Sequence, residues 1–250
     1  MFKTASEAAA HITRLRELTE DVSKEETTLF VIPSFTSLHT AVPAAGGDIW
    51  IGAQNIGWEE RGQFTGEISP LMLQELHVDM VMVGHSERRH VLHETDFEIE
   101  KKIMCAARHG FRTLLCIGET KQQKEYGISV ETLRQQLKIG LHSLSPDLAE
   151  KYLIIAYEPV WAIGINGEPA SAEYAETMHR AIKDTLAQLY GATVQIPVLY
   201  GGSVNNENAL SLSLQPHIDG LFIGRSAWDA DNFSQIIHSV LSARAAKRQK

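Results

Sequence analysis

Short apolar runs alternate with longer amphipathic segments along the whole of this chain. That alternation restricts it to a parallel sheet whose strands are joined by helices. Seven runs read as buried strands: residues 29–33, 50–54, 80–84, 113–117, 153–157, 197–200 and 220–223. Eight helical segments separate and flank them, because the chain opens on a helix rather than a strand. Thr4-Ala5-Ser6-Glu7 is a capping box, and the helical pattern continues to about Thr19. Ser69-Pro70 supplies an N-cap and a proline at the first helical position. The run from Asp96 to His109 stops at Gly110, and the stretch after Ser171 runs to about Tyr190 with Gly191 behind it.

No Pro/Gly/Ser-rich linker divides the 250 residues, so one domain spanning 1–250 is expected. The fold class is α/β, a (β/α)8 barrel lacking the first strand at the N-terminus. Seven strands leave two barrel edges unpaired, an arrangement prone to aggregation. Either the chain is cut short at its N-terminus, or another element fills the gap.

The net charge of -8 argues against a nucleic-acid partner, since phosphate backbones attract basic surfaces. It does not exclude a phosphorylated small molecule, which needs only a local positive field. Cys105 and Cys116 both sit in apolar runs and read as buried thiols, which fits a reducing cytoplasm. No stretch is apolar for long enough to span a membrane, and no signal-peptide core precedes the first helix. The basic residues from Arg244 to Lys250 read as a solvated helix end with a frayed tail.

Two strands end on groups that can move protons. Val83-Gly84-His85-Ser86-Glu87-Arg88-Arg89 puts a histidine where a strand gives way to a helix, and backbone dipoles there disfavour the charged ring. Ala156-Tyr157-Glu158-Pro159-Val160-Trp161 puts a carboxylate at the tip of another strand. A carboxylate in apolar surroundings is a stronger base. His90 and His93 lie near His85 but lack the carboxylate or thiolate spacing of a metal site, so no metal is expected.

Both segments resemble the signature of triosephosphate isomerase. The resemblance continues through Tyr200-Gly201-Gly202-Ser203-Val204 and Asp219-Gly220-Leu221-Phe222-Ile223-Gly224, and it covers nearly the whole chain. It implies a metal-free, cofactor-independent aldose–ketose isomerase of a small sugar phosphate, working through an enediolate. Glu158 would be the base on carbon. His85 would be the neutral imidazole that polarises the carbonyl, a property long established for this family and carried over with the resemblance. Glu87 would be an auxiliary acid. The phosphate would sit on backbone N–H groups of Gly164, Ser203, Gly224 and Arg225. Pro159 through about Ala170 resembles the family's mobile lid.

The loop from Gln54 to Glu67, with Gly62-Gln63-Phe64-Thr65-Gly66-Glu67 at its far end, resembles the family's loop that docks into a second subunit. A homodimer is therefore expected. Two departures stand out. The lid end reads Gly164-Ile165-Asn166-Gly167-Glu168-Pro169, and Arg225 replaces the family's usual glycine. Both features, with Gly224-Arg225-Ser226-Ala227-Trp228, look like those of the erythrulose-phosphate isomerase branch. The substrates implied are thus a triose phosphate, with glycolysis and gluconeogenesis as the setting, or L-erythrulose 1-phosphate.

The family's first strand ends in Trp-Lys-Met-Asn, and Met1 aligns with that Met, so its catalytic Lys would fall just upstream. A downstream start codon, or a chain cut at that point, would explain this. Lys3 is the one nearby candidate to replace that Lys. The alternative expectation is a non-catalytic or impaired form that only binds phosphosugars.

Overall fold

The computed structural model describes residues 2–164 and 167–248. Seven parallel strands lie side by side in sequence order: β1 (Phe30–Val31), β2 (Trp50–Ala53), β3 (Met80–Val83), β4 (Arg112–Ile117), β5 (Leu153–Tyr157), β6 (Val198–Tyr200) and β7 (Gly220–Leu221). The longest ladder joins β4 to β5, running from Thr113 opposite Leu153 to Ile117 opposite Tyr157.

The pleat explains why these strands are apolar throughout. On β3, Met80 and Met82 point to the inside of the curled sheet, where they meet Leu114, Cys116, Ala156 and Leu199. Val81 and Val83 point to the other face and pack with Leu115, Ile117, Ile155 and Tyr157 beneath the helices. Both faces are buried, so alternation gives way to continuous hydrophobicity.

The helices are α1 (Ala5–Leu18), α2 (Leu38–Ala45), α3 (Pro70–Glu75), α4 (Ser86–His90), α5 (Asp96–Arg108), α6 (Lys121–Glu125), α7 (Ser129–Gly140), α8 (Pro146–Tyr152), α9 (Ala172–Tyr190), α10 (Ala209–Ser213) and α11 (Ala230–Arg248). There are eleven among the described residues rather than eight. The additional ones include α4 and α6, single turns too short to leave an apolar period in the sequence. The expected caps are present. Thr4 and Glu7 close a capping box on α1, Ser69 caps α3 ahead of Pro70, and Gly191 ends α9.

The outermost strands bear out the expectation of an incomplete barrel. β1 and β7 are two residues each and only half-buried, whereas all of β3 is buried. Each pairs on one side alone, so each is shorter than its apolar run. The sheet curls until the rings of Phe30 and Phe222 stack at 6.0 Å between centroids.

The C-terminal expectation holds in part: α11 continues to Arg248 with residues 245–248 exposed, a solvated helix end, but the basic side chains of Arg244 and Lys247 are not left to solvent. The Arg244 guanidinium donates to the carbonyls of Ser213, Ile218 and Asp219, and Lys247 donates to Leu214. A guanidinium has enough donors to gather several carbonyls at once, and composition alone did not show that acceptors were near. Residues 249–250 lie outside the described residues. Cys105 and Cys116 are free and buried, as expected. Among the described residues no helix is long and apolar enough to cross a membrane.

Candidate active site

The C-terminal tips of β3 and β5 bring His85 and Glu158 together. Gly84 leaves β3 at φ 73°, a left-handed turn that suits glycine, and His85 becomes the N-cap of α4. Its Nδ1 accepts from the Glu87 amide at 3.3 Å. That bond requires an unprotonated Nδ1, so the neutral ring carries its hydrogen on Nε2. Nε2 stands 3.3 Å from Glu158 Oε1.

Glu158 is 3% exposed, and its Oε2 has no partner. Two glycines make room for it. A Cβ on Gly118 would come within 1.8 Å of the Glu158 carbonyl oxygen, and one on Gly201 within 2.9 Å of its Cγ. The glycines just beyond β4 and β6 are thus packing requirements of Glu158 beyond β5, Gly118 for its main chain and Gly201 for its side chain. Arg89 fixes the other side: it is buried against the carbonyls of Gly84, at 2.6 Å, and Cys116, at 3.1 Å, and ties the ends of β3 and β4.

The titration of His85 differs from the expectation. Burial disfavours the charged ring, but the Glu158 carboxylate outweighs it, with Glu87 adding to the same side, and the pKa lies above its ordinary value. The sequence showed the helix start but could not show a carboxylate 3.3 Å away. Glu87 contributes mainly through its amide. Its side chain is 79% exposed, with Oε2 at 4.0 Å from Nδ1.

The expected phosphate amides lie on the turns beyond β5, β6 and β7. Among the described residues, the amides of Gly164, Ser203, Gly224 and Arg225 donate to no protein acceptor. The turn after β7 is pinned to the turn after β6, since Ser226 Oγ donates to the Val204 carbonyl at 2.7 Å. The Arg225 guanidinium reaches across and donates to the Gly164 carbonyl. Within the lid, Ile165 and Asn166 lie outside the described residues.

Sequence reasoning passed over Glu119. It is fully buried beyond the tip of β4 and accepts from Tyr157 Oη at 3.0 Å, Trp161 Nε1 at 2.8 Å and Tyr174 Oη at 2.9 Å. It anchors the near end of the lid through Trp161, over whose ring Lys124 lies. The signal was present: Glu119 ends a strand as Glu158 does, but three distant aromatic donors could not be read from spacing. The charge of Lys3 acts on Glu7 and His11 at the start of α1 and is not among the groups that shift His85. Among the described residues, no group of three or more His, Cys, Asp or Glu is arranged to hold a metal ion.

A histidine and a buried carboxylate thus face each other from the tips of β3 and β5, the two strands that flank β4, an arrangement able to pass a proton. Residues 1–240 match the profile of triosephosphate isomerase, and the chain belongs to that family. It is 44% identical over 253 residues to an L-erythrulose-1-phosphate isomerase of Rhizobium etli, a match covering 100% of this chain and 93% of that protein. A protein of the same name from Rhizobium meliloti is 43% identical over 244 residues, covering 97% of this chain and 94% of its own. The crystal structure of a triosephosphate isomerase from Bartonella henselae superposes with a TM-score of 0.85 at 30% identity, covering 97% of this chain and 96% of that one.

Proposed function

We propose that this family isomerase shifts the carbonyl of a small sugar phosphate through an enediolate, and that L-erythrulose 1-phosphate is its substrate in preference to a triose phosphate. The observation that carries the reading is the pair itself: Glu158 Oε1 at 3.3 Å from His85 Nε2, with the second carboxylate oxygen buried and unpartnered. Glu158 takes a proton from the carbon beside the carbonyl. His85 donates from Nε2 to the carbonyl oxygen and takes the hydroxyl proton back, and Glu158 returns its proton to the neighbouring carbon. Protons balance, and no electron acceptor is required. With dihydroxyacetone phosphate the product is an aldose. In L-erythrulose 1-phosphate the hydroxyl beside the carbonyl is on a secondary carbon, so the same step gives a second ketose, a tetrulose 4-phosphate.

The name shared by the Rhizobium relatives supports the tetrulose over the triose. The loop from Gln54 to Glu67, buried at Asn55, Ile56 and Gly57 and exposed over residues 59–66, supports a homodimer. Its base is held by Asn55, which donates to Glu67, and Phe64 meets Trp58 edge to face at 5.6 Å between ring centroids. The test is turnover of both substrates. The reading expects kcat/KM for L-erythrulose 1-phosphate to exceed that for dihydroxyacetone phosphate; the reverse order would make the chain a triose isomerase.

A second reading, a form that binds phosphosugars but turns them over poorly, draws on one observation. The charges that act on His85 are the carboxylates of Glu158 and Glu87, with no cation beside them, and a site without a cation at the reacting oxygens would stabilise developing negative charge less. Phosphosugar binding without measurable turnover would favour it.

A further inference from the structure

The Arg225 guanidinium stands at the rim of the proposed phosphate site with no carboxylate to neutralise it. Among the described residues no Asp or Glu oxygen lies within 4.0 Å of it. Among the described residues its one hydrogen-bond acceptor is the Gly164 carbonyl, which belongs to the loop leaving β5, although Arg225 itself follows β7. The base of this side chain is firm: Ser226 Oγ is bonded to Val204 and Asn232 Nδ2 donates to the Ser226 carbonyl at 2.6 Å. The head therefore bridges two turns in which, among the described residues, the amides of Gly164, Gly224 and Arg225 donate to no protein acceptor. A Cβ built on Gly164 or on Gly224 would meet nothing within 4 Å, so the space between them is open.

A guanidinium carries five N–H donors in a planar fork, and one of them is used on Gly164. The remaining edge can pair with two oxygens of a phosphate. We propose that the Arg225 side chain is a ligand of the substrate phosphate, steered into place by the Gly164 carbonyl, so that the anion is held by a fixed positive charge as well as by main-chain amides. This rests on the reading of the site as a phosphosugar site, and it assigns the side chain a role that the free amides alone do not give it.

Inorganic phosphate is the probe, because it binds without requiring turnover. Its affinity for the full chain is measured by calorimetry, in parallel with kcat and KM, for the parent, Arg225→Gln and Arg225→Lys. Arg225→Gln should weaken phosphate about tenfold or more, and raise KM in proportion while changing kcat less. Arg225→Lys keeps the charge but loses the fork, so it should fall between the two. The parent's affinity should also drop more steeply with added salt than that of Arg225→Gln. Unchanged phosphate affinity in Arg225→Gln, with the fold intact by thermal unfolding, overturns the proposal. So does a parent that binds no phosphate. A parent that binds phosphate through Arg225 yet isomerises neither sugar phosphate leaves this inference standing and removes the proposed reaction instead.

Discussion

At the scale of single residues the account depends on two side chains and the glycines around them. Replacing Glu158 by Gln keeps the shape but removes the base, so kcat should fall by roughly 10²–10⁴-fold or more while thermal unfolding changes little. Turnover within tenfold of the parent would take Glu158 out of the mechanism. Gly201→Ala should impair catalysis indirectly, since its Cβ would press within 2.9 Å of the Glu158 side chain. A variant with unchanged kcat would mean that the carboxylate has freedom the packing does not show. His85 and Glu158 were legible in the sequence because a polar group at the tip of an apolar strand interrupts a simple pattern. What surrounds them was not. Glu119 with its three aromatic donors, and Arg225 reaching Gly164, are contacts between residues 38 to 61 positions apart. Local spacing carries no record of such distances.

At the scale of elements, α9 holds a pH-sensitive group. His179 is fully buried between Tyr157 and Tyr200, its Nε2 has no partner, and Nδ1 is 3.3 Å from the His217 carbonyl. Burial pulls its pKa down from 6.5 to about 4, despite the His217 carbonyl and the nearby Asp219 and Glu176; Lys183 adds to the depression. The unfolded chain therefore takes up a proton here before the folded one does. Stability should decline as pH falls from about 6.5 towards 4, by up to about 3 kcal/mol from this group. His179→Gln should flatten that part of the thermal-unfolding profile, and an identical acid slope in parent and variant would refute the assignment. On α11, Arg244→Ala strands three carbonyls and should cost about 1–3 kcal/mol by denaturant unfolding; no loss would restore the solvated-tail reading. Helix caps such as Thr4, Ser69 and Gly191 were readable because capping is local chemistry. The single-turn helices and the clasp made by Arg244 were not, because they are fixed by neighbours distant in sequence.

At the scale of the molecule, the order of the strands followed directly from the βα alternation. So did the incomplete barrel, because seven apolar runs were countable before any geometry was known. The half-buried, two-residue β1 and β7 are its structural consequence. A form of the chain extended at its N-terminus by a strand ending in Trp-Lys should pair with both edges. It should unfold at a higher temperature and turn over faster, through the added pairing and the added cation. Equal stability and activity in the two forms would mean that the seam costs nothing. The measurement that bears most directly on the central claim is solvent exchange on L-erythrulose 1-phosphate in deuterium oxide. The parent should place solvent deuterium on the carbon flanking the carbonyl as isomer forms, and Glu158→Gln should lose both exchange and isomer together. Isomer formed without deuterium, or exchange that survives in Glu158→Gln, would contradict proton transfer by Glu158.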